Sequence, residues 1–149
     1  MSSKPTVDEN LVTLDRFADV VDLLSRHENL FVRYSRGPDA DEHRNSRDYE
    51  SGLRLPGLAV ADLRPPSWWT RPATDWVARR VCSYADLAQA DPSRYPWVLT
   101  GRVVDRGPDH EPLVADARPV ARIGPSALAE AVEHYQRHFD VGADSTPDT

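Results

Sequence analysis

The sequence predicts an α+β fold, a single compact domain over residues 11–140 with a mostly antiparallel sheet of about four to six short strands packed by three helices. Three observations carry this expectation. Apolar residues recur at helical spacing in three separate stretches, short runs rich in β-branched and aromatic residues lie between them, and a Gly-Pro-Asp segment parts two of those runs as a hairpin turn does.

Taken in order, Leu14, Phe17, Val21 and Leu24 predict a helix over residues 14–26, with the Thr13 hydroxyl as its N-cap. Leu30-Phe31-Val32-Arg33-Tyr34 reads as a strand, and its period of two puts Leu30, Val32 and Tyr34 on one face and Phe31, Arg33 and Ser35 on the other. Residues 37–52 carry Asp39, Asp41, Glu42, His43, Arg44, Arg47, Asp48 and Glu50 with no apolar period, so a long loop is expected, of the kind that is functional or disordered. Leu53–Leu55 and Gly57–Val60 flank Pro56, which cannot donate to a ladder, and read as an interrupted or edge strand.

The three prolines of residues 64–72 exclude a helix interior, leaving an ordered linker pinned by indoles. Thr74 then caps a helix whose stripe is Val77, Val81, Tyr84 and Ala88, with Cys82 beside it, ending near Asp91-Pro92. Trp97–Val104 and Pro112–Ala117 form the hairpin, and residues 118–123 a further short strand. Gly124-Pro125-Ser126 starts the last helix, with Leu128, Val132, Tyr135 and Phe139 as its stripe.

Composition narrows the function classes. A net charge of −6 and a pI of 5.3 argue against a sequence-independent nucleic-acid binder, which needs a basic stripe to neutralise phosphates. With one cysteine, Cys82, no intramolecular disulfide forms, and with neither an apolar leader nor a membrane-length apolar run the expected setting is the reducing cytoplasm. Residues 1–10 and 141–149 are polar and contain proline, and are expected to be flexible tails.

Candidate functional residues follow from a near repeat. Arg36-Gly37-Pro38-Asp39 and Arg106-Gly107-Pro108-Asp109 each place a basic residue, a turn former and an acid just past a strand. If both turns open on one rim, guanidinium and carboxylate groups become neighbours. In the first copy, Arg33, Tyr34, Ser35 and Arg36 form a candidate clamp for a carboxylate or phosphate, because the planar guanidinium fork donates in bidentate fashion; surface salt bridges to the following acids are the plainer reading. In the second, Asp109, His110 and Glu111 set two carboxylates around an imidazole, a general-base or ribose-holding set, or simply a charged turn. Trp68 and Trp69 floor a ligand pocket or seal the core. His134 and His138 have helical i, i+4 spacing without a His-Glu-x-x-His order, so they read as a solvated face and no metal site is expected. Gly-x-Gly-x-x-Gly, Walker and Gly-x-Ser-x-Gly signatures are absent from the sequence.

Through residues 30–38, Leu55-Pro56-Gly57-Leu58, residues 68–72 and residues 97–104 with 107–114, the chain resembles a domain-of-unknown-function family of small actinobacterial proteins, a resemblance that spans residues 12–142 and implies no activity. The strand and helix order is also similar in layout to ADP-ribosyltransferase-like domains. That similarity implies Arg33 on the NAD pyrophosphate, Tyr34 or Trp69 against nicotinamide and Glu111 as the catalytic carboxylate, although Leu58-Ala59-Val60 stands where one large branch carries Ser-Thr-Ser. The function expected first is a non-catalytic accessory or regulatory protein that binds a protein partner or a small anionic ligand through the Arg33–Arg36 edge. The alternative is an ADP-ribosyltransferase-like enzyme using NAD.

Overall fold

The computed structural model describes residues 11–41 and 45–139. The expected tails, residues 1–10 and 141–149, and the loop residues Glu42, His43 and Arg44 lie outside the described residues. The chain runs through β1 (Thr13–Leu14), α1 (Phe17–Asp22) continued by a 3-10 turn (Leu23–Ser25), β2 (Phe31–Ser35), α2 (Pro38–Asp41), β3 (Leu58–Ala59), β4 (Ala61–Asp62), α3 (Ala73–Val81), α4 (Tyr84–Ala90), β5 (Tyr95–Arg106), β6 (Pro112–Ile123) and α5 (Pro125–Phe139). Mixed α+β architecture is what the hydrophobic periodicities predicted.

The six strands form one sheet in the order β1-β6-β5-β2-β4, with β3 also paired to β6. Only the β1–β6 pair is parallel. The short segment that holds β3 and β4 bonds in two directions. Leu58 and Ala59 pair with Val114 and Leu113 of β6, whereas Ala61 and Asp62 pair with Val32 and Phe31 of β2. Because β6 is bonded to β5 and β5 to β2, this segment links the two ends of that path and curls the sheet on itself.

Two cores follow from the pleat. Phe31, Leu58, Val60, Trp97, Leu99 and Val114 pack together on the concave side, and the alternate residues Leu30, Val32, Val98 and Ile123 pack with Phe17, Val20, Leu63, Val77, Val81 and Leu128 under the helices. The alternation read from residues 30–35 therefore holds: Phe31, Arg33 and Ser35 share a face with their partners Leu99, Trp97 and Tyr95. Each fully buried Leu or Val here, such as Leu99 and Val98 at 0% exposure, contributes about 1.5–3 kcal/mol of hydrophobic stabilisation.

Several local expectations are corrected. Thr13 does not cap a helix. It and Leu14 pair with Arg122 and Ile123, with the Arg122 and Gly124 amides donating to the carbonyls of Val12 and Leu14 at 2.7 and 2.9 Å; a ladder with an existing strand offers those backbone groups partners that a first helical turn lacks. α1 starts at Phe17 instead, and the Phe17 amide donates to Glu130 Oε1 of α5 at 2.8 Å. The helix expected to run unbroken to Asp91 is divided around Cys82-Ser83 into α3 and α4, and α3 begins at Ala73 after Pro72, with no side-chain cap from Thr74. Residues 118–123 are not a separate strand: β6 is continuous over 12 residues, and register shifts in the β5–β6 ladder absorb Pro119. The edge-strand reading of residues 53–60 moves to 58–62, and Arg54 forms an isolated bridge to Arg47.

Gly57 sits where the curl closes. A Cβ at this position would lie 2.9 Å from the Val114 carbonyl oxygen and 3.1 Å from the Leu113 carbonyl carbon, both backbone atoms. Gly57→Ala is therefore expected to lower stability by about 1–3 kcal/mol through overpacking, read as a lower urea midpoint; an unchanged midpoint would refute the close approach. Glu130 gives a second check. Its carboxyl sits below the ordinary carboxylate range, chiefly because it accepts the Phe17 amide, with the Arg16 guanidinium assisting. A carboxyl more acidic folded than unfolded stabilises above the unfolded value, about 4.3 for Glu, and that contribution disappears as pH falls through the folded value. Glu130→Gln is expected to flatten this part of the acid limb in thermal melts between pH 2 and 5, relative to wild type.

Candidate functional site

β2 ends in a polar knot. Arg33 Nε donates to Asp41 Oδ2 at 2.7 Å, and Arg33 Nη1 donates to the Ala59 carbonyl at 2.8 Å. The Ser35 hydroxyl donates to Asp41 Oδ2 at 2.6 Å and accepts from the Trp97 indole at 3.0 Å and the Gly37 amide at 3.1 Å. Ser35 is buried, and the side chains of Arg33 and Asp41 are 22% and 14% exposed. Few donors or acceptors are left over in this set, so the knot holds the turn at Gly37, which has φ of 113° and so suits glycine, and launches Pro38 into α2. Tyr34 faces the helices and stacks on Tyr84 of α4, rings 5.3 Å apart and 5° from parallel; burial raises the pKa of both phenols.

Just past this turn lies a cleft of about 430 Å³ bordered by Arg36, Arg94 and Arg122, with Pro96, Ile123 and Leu128 supplying apolar surface. Arg122 lies over the Tyr95 ring, 3.6 Å from its centroid, and its Nε is buried without a hydrogen-bond partner among the described residues. Arg94 faces Asp91 at 3.5 Å. Asp91 is held below the ordinary carboxylate range by hydrogen bonds from Ser93, with the positive charges of Arg94 and Arg36 adding to the effect.

The two Arg-Gly-Pro-Asp copies do not share a rim. Ser35 is paired with Tyr95 at the start of β5, whereas Arg106 is the last residue of β5 and is paired with Pro112. The antiparallel register thus sets the turns at opposite ends of one 12-residue strand. In the second copy Gly107, Asp109, His110 and Glu111 close the hairpin on itself: Glu111 Oε1 accepts the Asp109 amide at 2.9 Å, and the backbone of Gly107 bonds His110 and Glu111. His110 adopts φ of 62°. The curl does bring β6 back toward Arg33, whose Ala59 contact lies opposite Leu113, but Arg33 is engaged by Asp41 and Glu111 by its own turn.

Trp68 and Trp69 pack against α3 through Trp76. Together with Trp76 they form an edge-to-face cluster with centroids 5.2–6.2 Å apart. Trp76 is buried, Trp69 donates from Nε1 to the Pro72 carbonyl, and Trp68 remains 68% exposed. Among the described residues they do not border the Arg36 cleft.

One cluster escaped sequence reasoning. Asp75 of α3 is 3% exposed, and its Oδ1 lies 2.8 Å from His134 Nε2 of α5 while Oδ2 accepts from Arg71 Nε at 3.1 Å. Burial alone would raise the Asp75 pKa, but the bond from His134 and the charge and bond of Arg71 outweigh it and hold the carboxyl below its ordinary range. His138 stacks on His134, centroids 3.9 Å apart. The i, i+4 histidines were visible in the sequence; their carboxylate partner, 59 residues away, was not, since nothing in the spacing pairs α3 with α5.

The architecture defines a mixed α+β domain with a curled sheet and arginine-lined surface cleft. By its sequence the chain belongs to a family of unknown function, DUF6098, whose model matches residues 7–146. No curated protein matches the chain, and no solved structure matches it. Among the described residues no helix is long and apolar enough to cross a membrane.

The knot makes its own prediction. Ser35→Ala removes the acceptor of the Trp97 indole and a donor to Asp41, and leaving such buried groups unsatisfied is expected to cost about 1–3 kcal/mol, measured by urea unfolding; a loss below about 0.5 kcal/mol would show that the hydroxyl is dispensable.

Proposed function

We propose that this protein is a non-catalytic binding module that takes a small anionic ligand, a carboxylate or phosphate compound with an apolar portion, in the Arg36–Arg94–Arg122 cleft. The single observation behind this reading is Arg122, whose buried Nε lacks a partner among the described residues while its guanidinium lies over Tyr95 at the cleft. A buried donor left unmade is costly, and an anion at this place would satisfy it. Arg36 and Arg94 add two further guanidinium forks, against which Asp91 sets one nearby carboxylate. The apolar walls favour a ligand that is more than a bare ion.

In this reading the Arg33–Arg36 edge divides its labour. Arg36 faces the ligand, and Arg33 and Ser35 act as positioning residues, because their bonds to Asp41 and Gly37 fix the turn from which Arg36 projects. The reading places no reacting group in the cleft, and regulation or transport of an anionic metabolite suits it better than turnover.

Calorimetric titration with inorganic phosphate and with benzoate tests the proposal. Benzoate is expected to bind more tightly than phosphate, Arg122→Gln to weaken binding at least about tenfold, which corresponds to loss of ~1.4 kcal/mol, and affinity to fall with added salt. Absence of binding by either probe at 10-millimolar order concentrations, or equal affinity in Arg122→Gln, would rule the cleft out.

A further inference from the structure

We propose that Asp75, His134 and His138 form a site for a divalent transition-metal ion of the zinc or cobalt type, separate from the arginine cleft. One carboxylate oxygen and one ring nitrogen from each histidine lie within 4.8 Å of one another, contributed by two different helices. Zinc holds nitrogen and carboxylate oxygen at ~2.0–2.2 Å, so ligand atoms around it stand roughly 3–3.5 Å apart. The Asp75–His134 separation of 2.8 Å is already of that order; the carboxylate there only accepts, so His134 Nε2 carries the proton in this contact and a metal ion would displace it, while a side-chain rotation of His138, exposed at the helix surface, would close the remaining gap.

Two further features favour ligation over a merely structural ion pair. Arg71 engages Oδ2 of Asp75, which leaves Oδ1 directed at the histidines, and its Nη2 also donates to the His138 carbonyl at 2.8 Å. Guanidinium support of this kind orients a ligating carboxylate from outside. His138 Nδ1 lies 3.0 Å from the His134 carbonyl; a carbonyl accepts only, so Nδ1 is the donor and Nε2 is the nitrogen this contact leaves for a metal, the arrangement of a ligating histidine whose other nitrogen donates to backbone.

The donor set decides the ion. Two imidazoles and one carboxylate suit zinc, cobalt or nickel, whereas magnesium and calcium take oxygen ligands. Three protein donors leave a coordination position open, and His134 also borders a cavity of about 400 Å³ with Thr74, Glu130 and Glu133. Water or an exchangeable ligand would occupy that position.

The full chain, freed of metal with a chelator and dialysed, is titrated with zinc and in parallel with magnesium. One equivalent of zinc is expected to bind and to raise Tm by ~5 °C or more once free zinc exceeds Kd a hundredfold, with no effect of magnesium. His138→Ala, an exposed change that does not threaten folding, is expected to weaken zinc binding at least tenfold, and Asp75→Asn likewise. Undiminished affinity in either variant, or magnesium binding as well as zinc, would overturn the site. Cobalt supplies a measurement independent of the buried variant: strong visible bands of a four- or five-coordinate ion support the three-ligand site, and the weak spectrum of a six-coordinate ion held by two imidazoles alone overturns it.

Discussion

The structure depends on a backbone constraint at residues 57–62. Leu58 and Ala59 there bond to β6 and Ala61 and Asp62 to β2, and Gly57 permits it because any Cβ at its position would lie 2.9 Å from the Val114 carbonyl oxygen. Were this segment to leave one of its partners, the β5–β6 hairpin would extend as a two-stranded arm, and two-stranded ribbons are marginal in water. Pairing at both edges instead encloses Phe31, Trp97, Leu99 and Val114 in a small core of their own.

That enclosure explains why a charged residue sits on the concave face. Arg33 shares the face of Phe31 and Leu99, a place where an unpaired guanidinium would be costly. Asp41 and the Ala59 carbonyl pair with it, and Ser35 ties the same carboxylate to Trp97. The polar knot therefore both satisfies a charge within the curl and anchors the turn that leads outward to Arg36. Arg122 is treated differently. It lies on the same face beside Tyr95, yet its Nε has no partner among the described residues, and this contrast between two arginines on one sheet is the ground for assigning Arg122 to the proposed ligand.

On the opposite layer the helices are joined by polar as well as apolar contacts. α1 takes its first-turn acceptor from α5 through Glu130, and α3 is tied to α5 through Asp75 and His134. Glu130, His134 and His138 are spaced four residues apart and so follow one stripe of α5. One stripe of that helix thus holds α1, engages α3 and carries two of the three proposed metal ligands.

Much of this was legible in the amino-acid order alone. The α+β class, the alternation of residues 30–35, the hairpin over Gly107-Pro108-Asp109 and the start of α5 at Pro125 all follow from local periodicity and turn chemistry, which act over a few residues and so leave a mark on the chain itself. Thr13-Leu14 as a strand, the passage of β6 through Pro119, the placement of the two Arg-Gly-Pro-Asp turns at opposite ends of β5, and the meeting of Asp75 with His134 were decided by tertiary structure. Each turns on which segments lie side by side. Partners so far apart in the chain are chosen by the closing of the sheet and the packing of helices on it, and no local pattern records that choice.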